Sequence, residues 1–295
     1  MTATTLPAPK KFRVASFTKW IGLIPFFLFA LLFIILPSVR LLGGSFLDSE
    51  GQFTFKNILE IFTTPFIINA YWLSIRISAV TAIGGGIFGF LLAYSVTIGG
   101  LPKRLRTAMI TFSGVASNFA GVPLAFAFVA TLGRTGFVTA FLRDVFGVNI
   151  YSTGFNLYSF AGLSFTYMYF QFPLMVLIMA PALDGLKKEW REAAENLGAS
   201  AFQYWWRIAL PILMPSLLGA MILLFGNAFG AYATAYALTG GTLPIITIQI
   251  GAQIRGDVLH NPGLGFAMAM GMVFIMAISL IGYSLLQKKS ERWLR

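Results

Sequence analysis

The sequence predicts an all-α, polytopic membrane protein with six transmembrane helices, and three observations carry that expectation. Of 295 residues, 57% are hydrophobic and only 11% charged, far less charge than a soluble domain needs to face water on all sides. Six apolar blocks, at 20–42, 68–98, 107–132, 157–183, 212–238 and 264–286, are each long enough to cross the bilayer as a helix. The loops between them alternate between many and few basic residues.

The first block follows the basic start KKFRVASFTKW. Its apolar run is longer than that of a signal peptide and no clear small-x-small site follows, so it reads as a retained helix. The second block exceeds the length of a span and contains Arg76, whose long side chain is expected to reach an interface while the helix tilts or projects. Within that block Gly84, Gly86 and Gly89 satisfy G-x-G-x-x-G formally, but no strand precedes them. Gly85 and Gly89, four apart, instead suit close helix packing in a bilayer.

The third, fourth and fifth blocks carry uncharged polar residues at helical spacing. Asn118 shares a face with Val122, Ala125 and Phe126; Ser164 with Tyr167 and Gln171; and Asn227 with Ala231, Thr234 and Ala235. Tyr232 and Tyr236 fall on roughly the opposite side of the fifth helix. An amide in hydrocarbon needs a partner, so the amide-bearing faces are expected toward the bundle interior or a water-filled path, although interhelical hydrogen bonding also accounts for them. Asn118, Phe126, Tyr167, Gln171, Asn227 and Thr234 are the candidate solute-pathway residues.

Loop charge sets the orientation. With the amino terminus cytoplasmic, residues 1–20, 99–106, 184–211 and 287–295 lie inside and hold 15 Lys or Arg; the outer loops hold Lys56, Arg134, Arg143 and Arg255. Both termini are then cytoplasmic and the loop 239–263 external. Residues 1–19 form a tail, and 20–295 one six-helix domain that includes the loop 184–211 and a short C-terminal tail. Topology and attraction to anionic lipid account for the net charge of +11 without a nucleic-acid partner. Trp20, Trp190, Trp205, Trp206 and Trp293 all fall near the inferred cytoplasmic boundary, as interfacial aromatics do.

The chain lacks cysteine, which removes thiolate metal sites and disulfides, and His260, in RGDVLHNPG beside Asp257, is its one histidine. No familiar metal cluster or catalytic set can be built on it, so no metal, cofactor or catalytic residue is expected. A polytopic membrane enzyme is one competing class. An ion-coupled secondary transporter is the other, but all ten acidic residues fall in loops or tails, which leaves no midplane carboxylate for a proton. No G-x-x-x-x-G-K-[ST] phosphate loop occurs, so ATP hydrolysis by that machinery is not expected of this chain.

The longest cytoplasmic loop holds the densest charge. Residues 187–197, KKEWREAAENL, read as a short helix with Trp190, Ala193, Ala194 and Leu197 on one side and Glu192 and Glu195 on the other. Gly198 ends it. Ser200 and Gln203 form a capping box for a second short helix, and Pro211 with Pro215 marks the start of the fifth span.

Glu192, Ala193, Ala194, Gly198, Ile208, Leu210 and Pro211 fill every fixed position of EAA-x3-G-x9-I-x-LP. In this the chain resembles the permease subunits of binding-protein-dependent ABC importers, whose six-helix arrangement carries that signature between spans four and five. The resemblance implies the type I importer permease fold, with the loop as a coupling helix that docks on an ATPase. It further implies two ATPase subunits, a second permease, identical or homologous, and an extracytoplasmic solute-binding protein, in a bacterial inner membrane. The runs AYATAYALTGG and GDVLHNPGLGFAMAM look most like the branch that carries polyamines, ferric iron and phosphonates, with a polyamine the first expectation.

Overall fold

The computed structural model describes residues 22–48, 50–256 and 260–291. Trp20, Asp257, Trp293 and the tail 1–19 lie outside them. Among the described residues there are helices and one isolated bridge, Leu47 to Phe53, and no strand. Six stretches are long and apolar enough to cross a membrane, as many as the blocks expected from sequence, but the third, Val122–Phe146, lies further along the chain than the expected 107–132.

The helices, in chain order, are α1 (Ile24–Gly44), α2 (Lys56–Thr63), α3 (Pro65–Thr97), α4 (Lys103–Asn118), α5 (Val122–Leu132), α6 (Phe137–Phe146), α7 (Phe160–Asp184), α8 (Lys188–Asn196), α9 (Ala201–Phe229), α10 (Ala233–Thr239), α11 (Ile246–Arg255) and α12 (Pro262–Glu291). α3 and α7 form the centre of the bundle. Glycine lets them approach: a Cβ on Gly85 would sit 2.6 Å from Gln171 Cβ, and one on Gly89 2.5 Å from Met175 Cβ. Small residues do this in bilayers because lipid tails are as apolar as leucine, so close van der Waals contact has to supply the association.

α1 lies at the periphery with no buried residue, packed on α12, where Gly44 faces Phe266. At the far end of α3, Asn57 of α2 donates to Leu47 O (2.8 Å), and Tyr71 donates to Met268 O of α12. The segment 239–263 is more than a loop. It contains α11, whose Ile246 and Ile248 are buried and whose Ile246 N donates to Ser74 Oγ at 2.9 Å. Arg76 is exposed on α3, with its guanidinium 5.1 Å from the centre of the Phe160 ring.

The third and fifth blocks are each two helices rather than one. α4 runs along α7 from the Arg106–Asp184 ion pair to the Phe119–Tyr169 ring contact, and α5 continues to Leu132, whose carbonyl accepts from Tyr151. Together they cover the third block expected from sequence. The run Val122–Phe146 is also apolar enough to span, but Gly133 and Gly136 separate α5 from α6. In the fifth block, α9 ends at Phe229 and α10 starts at Ala233. α9 itself begins at Ala201, so the second short helix expected after Ser200 is the first part of the fifth span, joined through a π turn at Trp205–Ala209. That turn precedes Pro211, which has no N–H to give an α-helical ladder.

Candidate functional site

Two interruptions in helices that cross the bundle lie side by side. The first occupies 119–121. Gly121 has φ +76°, a left-handed backbone that side chains rarely adopt, and Pro123 in the first turn of α5 needs no N–H donor. The second occupies 230–232, between α9 and α10. Thr234 joins them: its Oγ1 accepts from Gly121 N at 2.7 Å and donates to Gly121 O at 3.2 Å. Because 230–232 interrupts the fifth helix and 119–121 the third, neither the Asn118–Val122–Ala125–Phe126 face nor the Asn227–Ala231–Thr234–Ala235 face exists as a continuous helical surface.

A cavity of about 380 Å³ opens between the breaks. Ser117 and Gly121 line one side, Asn227, Tyr232 and Thr234 the other, with Phe170 of α7 between them. No charged side chain is among its lining residues. Backbone interrupted at membrane depth is tolerated where it is buried in protein or lines a water-filled space, and this cavity supplies such a space.

Of the six residues singled out on sequence, Asn227 and Thr234 line the cavity. Tyr167 and Gln171 lie behind it. Tyr167 is buried and its hydroxyl donates to Ala231 O at 3.0 Å, which braces the second break. Gln171 is fully buried; its Nε2 donates to Leu224 O at 2.9 Å, and its Oε1 is buried without a partner among the described residues. Asn118 is exposed and its Nδ2 donates back to Gly114 O at 2.9 Å in its own helix, and Phe126 is exposed as well. Ser117, Gly121 and Phe170 are lining residues that the sequence does not single out, and Tyr232, expected on the side opposite Asn227 and Thr234, lines the cavity with them because the break at 230–232 interrupts the helix. The signal for the first break was present in the Gly-Val-Pro run at 121–123, which punctuates an otherwise apolar block.

The loop between α7 and α9 has its own small core, Ala194, Tyr204 and Ala209, with Trp190 and Ile208 half-buried against it. α8 ends as expected at Gly198 (φ +78°), where Gly198 N bonds Glu195 O and Ala199 N bonds Ala194 O, the paired bonds that satisfy a helix's last carbonyls. The Ser200–Gln203 capping box is present, with both reciprocal bonds. Two residues differ from the expected helix face. Ala193 and Leu197 are exposed, Leu197 at 88%, and of that face Ala194 is buried and Trp190 half-buried.

Glu192 is also exposed, while Arg191 and Glu195 pair at 2.8 Å, a hydrogen bond that raises the Arg191 pKa above its ordinary value. Leu210 is half-buried and Pro211 exposed, just after the π turn. Phe202 and Trp206 stack with ring centres 6.3 Å apart, and both, like Leu197, are open to solvent in this chain alone.

The family described as "Binding-protein-dependent transport system inner membrane component" matches residues 12–295. A ferric transport system permease protein of Actinobacillus pleuropneumoniae is 25% identical over 294 residues, covering 98% of this chain and 42% of that protein. The chain thus spans about two fifths of the length of the ferric relatives it matches. A spermidine/putrescine transport system permease protein of Haemophilus influenzae is 24% identical and is covered over 96% of each chain. A sulfate transport system permease protein of Escherichia coli is 27% identical over 72% of each. Among solved structures, a bacterial ABC transporter involved in alginate import has a chain that superposes with a TM-score of 0.71 at 18% identity, covering 94% of this chain and 96% of that one.

Proposed function

Because the chain belongs to the family of inner membrane components of binding-protein-dependent transport systems, the permeases of ABC importers, we propose that it forms the solute pathway and the mechanical link of such an importer. On this reading it carries no catalytic residue. Two separate ATPase subunits hydrolyse ATP, a second permease, identical or homologous, completes the pathway, and an extracytoplasmic binding protein delivers the solute. The amino and carboxyl termini face the cytoplasm.

The coupling role rests on α8. Its exposed Glu192 and the apolar surface of Leu197, Phe202 and Trp206 offer a partner both a charge and contact area, while Ala194 holds the helix against α9. Movement of α8 by the ATPases would pass into α9 through the Ala194–Tyr204–Ala209 core and reach the break at 230–232, so that the bundle rocks between inward-facing and outward-facing states.

The solute is a small polar cation, with a polyamine the first choice. One observation carries this: the cavity at the breaks is polar yet lined by no charged side chain. The carbonyl ends of α4 and α9 and the amino ends of α5 and α10 all meet there, so the helix dipoles favour neither sign of charge. Gly121 N–H, a donor an anion would use, is already taken by Thr234. Phe170 and Tyr232 present rings, and each cation-to-ring contact contributes about 0.5 to 2 kcal/mol, weak enough to allow release. Relatives named for ferric ion, sulfate and spermidine/putrescine are about equally similar, so the chemistry of the cavity bears on the choice more than identity does. Uptake of labelled spermidine and putrescine by the reconstituted complex with its binding protein tests it. Uptake of sulfate or another anion, with no competition from polyamines, overturns the cation while leaving the permease assignment standing.

A further inference from the structure

We propose that the cytoplasmic end of the bundle holds a phosphate-ester site for an anionic phospholipid headgroup, in a cavity between the α3–α4 turn and α8. The cavity measures about 720 Å³ and is distinct from the one at the helix breaks. Five cations from three separate segments line it: Lys103 and Arg106 of α4, Lys187 in the loop after α7, and Lys188 and Arg191 of α8. Three carboxylates, Asp184, Glu192 and Glu195, line it too. Asp184 is paired with Arg106 at 2.5 Å and Glu195 with Arg191 at 2.8 Å, and the Lys187 ammonium lies over the Trp190 ring at 5.7 Å. Lys103 and Lys188 have no carboxylate partner among the described residues, and the lining keeps a positive excess.

Two unfilled requirements point to an oxyanion. Arg106 Nε and Thr97 Oγ1 are buried at this end of the bundle without a hydrogen-bond partner among the described residues. A buried donor left unmade is costly, and a guanidinium already held by Asp184 through Nη2 is oriented to give a further bond. α4, moreover, follows an N-cap residue, Pro102, that gives no side-chain bond, and has no acidic residue in its first turn, which instead holds Lys103, Arg104 and Arg106. Cations at a helix N-terminus oppose the helix dipole, and an anion bound beside them reverses the sign of that interaction.

The other wall decides the source. Ile98, Leu101, Leu183 and Leu186 line the same cavity with Trp205, so an oxyanion there has apolar surface beside it for the glycerol and acyl chains. The expected membrane face is the cytoplasmic one, where anionic lipid is attracted to juxtamembrane cations. Only this sidedness rests on the importer reading; the phosphate chemistry does not.

Native mass spectrometry of the delipidated complex, with phosphatidylglycerol, phosphatidylcholine and inorganic phosphate as probes, tests the site. Phosphatidylglycerol is expected to be retained in preference to phosphatidylcholine. The pair Lys103→Gln with Lys188→Gln is expected to lower its affinity about tenfold, the factor that a charge-assisted bond supplies. These lysines carry no ion pair, so assembly should survive the change. Binding of inorganic phosphate, lost in the same variant and without preference for phosphatidylglycerol, supports the phosphate chemistry with a soluble source. Equal retention of the two lipids without phosphate binding, or unchanged affinity in the double variant, overturns the proposal. Failure of polyamine uptake would leave all these outcomes as they stand.

Discussion

Thr234 and Gly121, 113 residues apart in the chain, are joined by a 2.7 Å hydrogen bond from the Gly121 amide to the Thr234 hydroxyl. The bond fastens the break at 119–121 to the first turn of α10, just beyond the break at 230–232. Each break frees backbone groups that hydrocarbon cannot satisfy; Thr234 takes up the amide and carbonyl of Gly121, and the Tyr167 hydroxyl donates to Ala231 O.

Replacing Thr234 with Val keeps the shape and removes the acceptor, leaving the Gly121 amide unpaired at a cost of about 1 to 3 kcal/mol. Solute transport by the reconstituted complex is expected to fall about tenfold or more on that scale, whereas Thr234→Ser should transport within about twofold of the parent because the hydroxyl remains. Equal loss in both variants would contradict the role given to the bond.

Gly198 has φ +78° with open space around it, so a side chain there meets strain and no clash. Gly198→Ala should cost on the order of 1 kcal/mol locally, and Gly198→Trp should weaken ATPase association or uncouple hydrolysis from transport while the permease still inserts. Glu192→Lys should act in the same direction, reversing an exposed charge. Transport at the parent rate by Gly198→Trp sinks the coupling assignment.

Gly89 admits no side chain: a Cβ would lie 2.5 Å from Met175 Cβ. Gly89→Val should force α3 from α7 and lower stability by about 1 to 3 kcal/mol, as overpacking does, read as a lower Tm of the purified protein in detergent. Gly114→Ala, where a Cβ meets nothing within 4 Å inside α4, is the matched control and should leave Tm unchanged or slightly raised.

The absence of cysteine makes introduced cysteines clean reporters of orientation. Leu197→Cys should resist an impermeant thiol reagent in intact cells and react after the membrane is opened, while Ser152→Cys, exposed at the other end of the bundle, should react in both. The reverse pattern would invert the topology. Ser290 is the corresponding position near the carboxyl terminus, where labelling in intact cells would equally contradict a cytoplasmic end.

By itself the sequence determined the helical membrane class, the six apolar blocks, the capped loop at 188–203 and the family signature from Glu192 to Pro211. These are written in local pattern: apolar length, cap residues, and fixed spacing within one loop. Close packing at Gly85 and Gly89 was legible for the same reason, since small residues four apart mark one helix face. The second break and the cavity between the two were decided by tertiary structure, and the first is marked locally only by the Gly-Val-Pro run at 121–123. Apolar residues occur on both sides of Gly121 and of 230–232, so block length by itself does not register that the chain turns there. Helical periodicity therefore placed Asn118 and Phe126 with residues beyond the break. The hydroxyl that compensates the Gly121 amide comes from Thr234, 113 positions away. No local pattern encodes that distance, because the partner of an unsatisfied backbone group is chosen by which helices pack together.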